Sequence, residues 1–201
     1  CKQYNLRLIE DVSQAHGAKF EEKFLGSIGD VGCFSCYPTK NLGACGDAGL
    51  ITTKDIKLSN KIRMLRQYGW VNRVSQIAGQ NSRMDEIQAA ILIIKLKKLK
   101  EHNFARNKIA NFYRNNLSQT PLELPIVESG CTHVYHQYVV KTKHRDKLKS
   151  FLEKSLIFPG IHYSLPVHKH PAYLNKILIS GNLTNTELIS DQILSLPIYP
   201  G

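Results

Sequence analysis

The chain has 201 residues, 42% hydrophobic and 21% charged, with a formal charge of +11. That is ordinary globular composition, enough for one sizeable domain or two small ones, and no apolar run approaches the eighteen residues of a membrane span. The excess charge favours an anionic partner, either nucleic acid or an anionic small substrate.

The opening CKQYNLRLIED lacks an initiator Met and shows no charged-then-apolar leader, so a signal peptide is not expected and a truncated chain is. LRLIED (6–11) reads as a buried strand stopping at Asp11, with VSQAHGA as the loop that follows. FLGSIGD (24–30) is turn chemistry. VGCFSCY (31–37) is a second strand, closed by Pro38, which offers no ladder N–H. Lys40 follows at the start of a loop holding Gly43, Gly46 and Gly49. GLITT (49–53) is a third strand and KDIKLSNKIRMLRQYG (54–69) a helix ending at Gly69.

Residues 70–82 form a polar loop with no period. Ser82 is placed to cap a long helix, with Asp85 and Glu86 complementing the dipole of its first turn. The helix extends beyond residue 110, with an apolar stripe of Ile87, Ile91, Ile94 and Leu99, and the lysines of 95–108 read as a solvated face. Pro121 and Pro125 mark a linker. HVYHQYVVKT (133–142) alternates as a strand with Tyr135 and Tyr138 in its core. Residues 144–156 form an amphipathic helix, and 158–174 are irregular and rich in Pro and His. The pattern is α/β, then a smaller α+β unit.

Five cysteines without framework spacing read as free thiols in a reducing cytoplasm, and C-x-x-C at 33–36 reads as core rather than as a redox pair. His133 with His136, and His168 with His170, form no complete ligand set, so no metal is expected. In open α/β sheets ligands bind beyond the carboxyl ends of strands, where Asp11 and Lys40 both fall. The two could be a structural ion pair. They are also what pyridoxal phosphate requires: an amine to hold its aldehyde as a Schiff base, and an acid to keep its ring nitrogen protonated. Spacing leaves both readings open, and leaves His16 either beside such a ligand or filling a turn.

In ordered blocks along the chain it resembles the sugar aminotransferases of the DegT/DnrJ/EryC1/StrS group: EDVSQAHGAKF, GDVGCFSCYPTKNLGACGDAG, RQYGW, GQNSRMDEIQAAIL, HVYHQYVV, IHYSLPVHKHPAY and LSLPIYP. The resemblance implies an aspartate-aminotransferase-like fold (fold type I of the pyridoxal-phosphate enzymes). Residues 1–117 would be the C-terminal part of the cofactor-binding large domain with its linking helix, and 118–201 a small α+β domain. It implies Lys40 as the Schiff-base lysine, Asp11 at the pyridine nitrogen, Gln14 near the ring hydroxyl and Ser35 at the phosphate. Asn81 would reach the phosphate of a neighbouring subunit's cofactor, so that active sites are shared across a homodimer. Arg83 is a candidate for the substrate, as are His162, Tyr163 and His168 at its entrance. The implied reaction moves an amino group, with glutamate as donor, to a keto sugar carried on a nucleotide diphosphate. KNLGACGD is most similar to members acting on 3-keto or acetamido sugars. The blocks begin well inside the family's usual length and stop before its closing helix, so a fragment truncated at both ends is expected, without the N-terminal phosphate-binding turn and with weak cofactor binding and poor or no activity by itself. A non-catalytic regulator of this fold would be expected to lose Asp11 or Lys40, and both are present. A nucleic-acid module is the remaining alternative, and neither nucleic acid nor membrane is expected as a partner.

Overall fold

A computed structural model describes residues 1–201, the side chain of Lys2 apart. Strand β1 (Ile9–Asp11) is followed by a hairpin of β2 (Lys19–Phe20) and β3 (Lys23–Phe24), then β4 (Val31–Ser35) and β5 (Gly49–Thr52). Helix α1 (Ile56–Leu65), a second hairpin of β6 (Trp70–Val71) and β7 (Val74–Ser75), and the long helix α2 (Glu86–Leu117) come next. The chain ends with β8 (Tyr138–Lys141), α3 (Arg145–Lys154), α4 (Thr184–Ser190) and β9 (Ile193–Leu196).

Two compact units result: residues 1–105 with 127–136, and residues 106–126 with 137–201. In the first, β1 pairs in parallel with β4, setting Asp11 opposite Cys33, and β4 pairs antiparallel with β5. Glu10 folds the 25–30 turn onto this sheet. Its carboxylate accepts backbone hydrogen bonds from Gly26, Ile28 and Gly29 at 2.7–2.8 Å. Residues 130–132 return to the β2 hairpin, where the Lys19 N–H donates to Thr132 Oγ1 and the Thr132 N–H donates to the Lys19 carbonyl.

Asp55 caps α1, its side chain accepting from the Lys57 and Leu58 N–H groups. The helix stops at Leu65, four residues short of Gly69. That glycine sits at φ +72°, where a Cβ would collide with the Ile77 carbonyl. The stretch 70–82, expected as loop, contains the β6–β7 hairpin, two residues per strand and too short to show a period. Ser82 does not cap the long helix. Helix α2 begins at Glu86, and the Asp85 carbonyl accepts its first intrahelical bonds from Gln88 and Ala89.

The expected apolar stripe on α2 is corrected in part: Leu99 packs on the core and Ile91 is half-buried, as expected, but the other two are not. Ile87 and Ile94 are 70% and 64% exposed, while Leu92 is buried against Cys36, Leu42 and Ala44. All five cysteines are free, with Cys36 in this core and burial pushing its thiol pKa up.

The strand expected over 133–142 is only Tyr138–Lys141, in the second unit and paired antiparallel with β9, while 133–136 belong to the first unit. Tyr135 has φ +45°, outside strand geometry, although it is as buried as expected. Alternation then holds: Tyr138 and Val140 point inward and Val139 and Lys141 are half-buried. Arg106 donates to the Ile198 carbonyl and Tyr113 to the Pro197 carbonyl, tying the chain end to α2. Helix α4 was not read from the sequence. At seven residues it covers fewer than two turns of pattern.

Candidate active site

Asp11 ends β1, and Ser35 ends the neighbouring parallel strand β4 two residues beyond the Asp11 partner Cys33. Lys40 lies five residues further, in the loop that leaves β4. Candidate groups therefore stand past the carboxyl ends of adjacent parallel strands, where a sheet leaves space for a ligand.

Asp11 is exposed. Its Oδ1 accepts the Ser13 N–H at 3.0 Å. Hydrogen bonds from the Ser13 side chain and backbone hold its carboxyl below the usual range, and the nearby Lys40 ammonium adds to this. Such a carboxylate stays anionic at neutral pH. The sequence reading missed Ser13; a Ser two residues after an Asp is the signal that could have found it.

The Lys40 charge also acts on His16. That imidazole is 2% exposed, its ring 5.6 Å from Phe34, with neither nitrogen in hydrogen-bond contact. Burial lowers its pKa and the Lys40 charge lowers it further; the Ser35 backbone lies close enough to oppose this in part. His16 is therefore a neutral, packed ring beside the lysine.

The loop around Lys40 is shaped by a close approach. A Cβ on Gly43 would stand 2.3 Å from the Pro38 carbonyl oxygen, so no side chain fits there. Ser35 also lines a cavity of about 570 Å³, together with Ser13, Arg63, Arg66, Ser82 and Arg83. Arg63 and Arg66, three apart on the last turn of α1 and just beyond it, were not anticipated as lining residues. Their spacing on one helical face was the available signal.

Asn81 is exposed and bridges Gln67 across a β-pair. Its Oδ1 accepts Arg83 Nε at 2.9 Å, and Arg83 stacks over the Tyr68 ring at 5.6 Å. Gln14 is exposed in the loop after Asp11. The structure thus gathers Asp11, Ser13, His16 and Lys40, and places Ser35 and Arg83 on one cavity. His162, Tyr163 and His168 belong to the second unit. There His162 Nδ1 meets Ser195 Oγ at 2.9 Å and packs edge-on against Tyr163, while His168 Nε2 pairs with Glu187 at 2.9 Å. Among the described residues no cluster of three or more His, Cys, Asp or Glu could hold a metal ion.

The family model of the DegT/DnrJ/EryC1/StrS aminotransferases matches residues 1–201, and the chain belongs to that family. It is 43% identical over its full length to the dTDP-3-amino-3,6-dideoxy-alpha-D-galactopyranose transaminase of Aneurinibacillus thermoaerophilus, of which it covers 55%. Its fold matches that of DesV from S. venezuelae, solved in complex with a ketimine intermediate, with a TM-score of 0.95 at 39% identity. The match covers 99% of this chain and 54% of DesV. NtdA from Bacillus subtilis, solved with bound cofactor PMP, matches with a TM-score of 0.84 at 31% identity, over 99% of this chain and 47% of NtdA. The mixed α/β fold is that of the aminotransferases, and the chain spans about half the length of the relatives it matches.

Proposed function

We propose that the protein transfers an amino group from glutamate to a keto sugar carried on a nucleotide diphosphate, using pyridoxal phosphate. The observation that carries this reading is that Asp11 ends β1 while Lys40 lies in the loop leaving the adjacent parallel strand β4, where its charge helps keep the Asp11 carboxylate ionised. The named transaminase relative and the PMP bound by NtdA support it.

The residues present fit the cofactor. Lys40 is the amine that would hold its aldehyde, and Asp11, kept ionised by Ser13, would face its ring nitrogen. Ser35 supplies a hydroxyl for the phosphate and Gln14 an amide for the ring hydroxyl; Asn81 would serve the phosphate of a partner subunit's site in a homodimer. Bound there, pyridoxal phosphate supplies an electron sink and a carrier for the amino group. Lys40, once its amine is free, takes the proton from the donor Cα, and in the return half it gives a proton to the amino-bearing carbon of the sugar. Arg83, with Arg63 and Arg66 on the same cavity, offers positive charge to a diphosphate. His162, Tyr163 and His168 would line the substrate entrance. We assign residues 1–117 to the cofactor domain and 118–201 to the small domain by role, although the compact units put 106–117 with the second and 127–136 with the first, and we place the enzyme in the cytoplasm. Among the described residues no helix is long and apolar enough to cross a membrane.

The test is a visible absorption spectrum of the protein with pyridoxal phosphate. A band that disappears when glutamate is added is expected from the wild type, and neither the band nor turnover from Lys40→Ala. Full transamination by Lys40→Ala would overturn the reading.

A further inference from the structure

The loop carrying Lys40 is held to α2 by side chains with no part in the chemistry above. Gln88 Oε1 accepts the Cys45 N–H at 2.8 Å, and Lys95 Nζ donates to the Gly43 carbonyl at 2.7 Å. Further along the helix, Asn103 Oδ1 accepts from Asn41 Nδ2 at 2.8 Å. Residues 88, 95 and 103 fall on one side of the helix, since spacings of seven and eight residues are each about two turns. Leu92 and Leu99 lie between them and pack on the same loop.

Asn103 does more than its neighbours on that side. Its Nδ2 donates to the His16 carbonyl at 2.8 Å, in the loop that follows Asp11. The other bond from Asn41 Nδ2 runs to the Val134 carbonyl, also at 2.8 Å. A carbonyl only accepts, so the His16 and Val134 carbonyls at the two ends fix the orientation of both amides. The bridge is sealed in: Asn103 is 9% exposed. Gly17 makes room for it, since a Cβ there would stand 3.0 Å from Asn103 Nδ2. One buried amide thus links the residue after Lys40 to the loop after Asp11.

We propose that Asn103 is a positioning residue that fixes Lys40 relative to Asp11 by bridging the Asn41 side chain to the His16 carbonyl. The consequence for the cofactor rests on the function proposed above; the coupling of the two loops does not. Asn103→Ala leaves a buried donor on Asn41 and a buried acceptor on His16 each short of a partner, and both loops loosen together.

Hydrogen–deuterium exchange on the protein without cofactor reads this directly. Asn103→Ala is expected to speed exchange about tenfold in both 12–18 and 38–46, with α1 and β8–β9 unchanged. Asn41→Ala cuts the same bridge from its less buried side, keeps the test open should Asn103→Ala fold poorly, and is expected to speed both loops. Exchange unchanged in either loop, or raised evenly along the chain, overturns the proposal. With pyridoxal phosphate added, the pH midpoint of the visible band is expected to move in Asn103→Ala by about half a unit or more, because the amine and the acid no longer keep their spacing. An unmoved midpoint also overturns it. Should the wild type show no band at all, the cofactor reading falls, and exchange still decides whether Asn103 couples the loops.

Discussion

Glu10 and Asp11 are adjacent carboxylates whose side chains leave β1 on opposite faces, and their surroundings give them different work. Burial alone would raise the Glu10 pKa, but the N–H groups of Gly29, Gly26 and Ile28 outweigh it and the net shift is downward, with Lys54 adding attraction. A depressed folded-state value means that the stabilisation is fully present above the ordinary glutamate value of about 4.3 and is lost as pH falls through the folded value. Glu10→Ala leaves three N–H groups without their acceptor and is expected to cost about 2–3 kcal/mol. Chemical denaturation at pH 7 measures the loss. Repeated at acid pH, the gap between wild type and variant should narrow; a constant gap would mean that the carboxylate charge contributes nothing. Asp11 is exposed, and Ser13 rather than burial sets its charge state, which leaves the carboxylate open to a ligand.

Helix α2 is the element that organises the site, because one stripe of it packs the Lys40 loop through Leu92 and Leu99 and bonds it through Gln88, Lys95 and Asn103. Its apolar residues are therefore not equivalent. Leu92→Ala opens a void beneath Leu42 and Ala44 and is expected to cost about 2–5 kcal/mol, lowering Tm and loosening the loop. Ile94→Ala removes an exposed side chain and is expected to change stability by less than about 0.5 kcal/mol in this chain. Thermal unfolding of the two variants compares them directly, and equal losses would contradict the assigned face. The same stripe accounts for part of the basic run over 95–108. Lys95 is spent on the Gly43 carbonyl and Arg106 on the Ile198 carbonyl, which weakens a nucleic-acid reading of that stretch.

Over these 201 residues taken together, the charge of +11 acts at longer range than any single bond. On the function proposed above, an anionic nucleotide sugar approaching these cationic residues is drawn in by a field that salt screens over about 10 Å at 0.1 M. KM for such a substrate is expected to rise several-fold between low and moderate ionic strength, with kcat nearly constant. Steady-state kinetics across a salt series measures this, and a flat KM would remove charge steering from the account.

The sequence by itself determined the order of chemical groups: an acid where a short apolar run ends, a proline closing the next strand, then the amine and its glycines. It could do so because strand ends, proline and glycine act on their immediate neighbours in the chain. It also indicated a long helix running beyond residue 110, though not its first residue, which is Glu86 rather than one next to Ser82. Which stripe of that helix is buried was decided only by the tertiary structure, since a period of 3.6 marks faces without saying which one meets a neighbour; Ile87 and Ile94 were chosen where Leu92 is buried. The return of 127–136 to the first unit and the Asn41–Asn103–His16 bridge, which joins residues 62 and 87 positions apart, are likewise tertiary. Contacts at such separations leave no periodic trace in the chain, because packing in space rather than neighbouring sequence creates them.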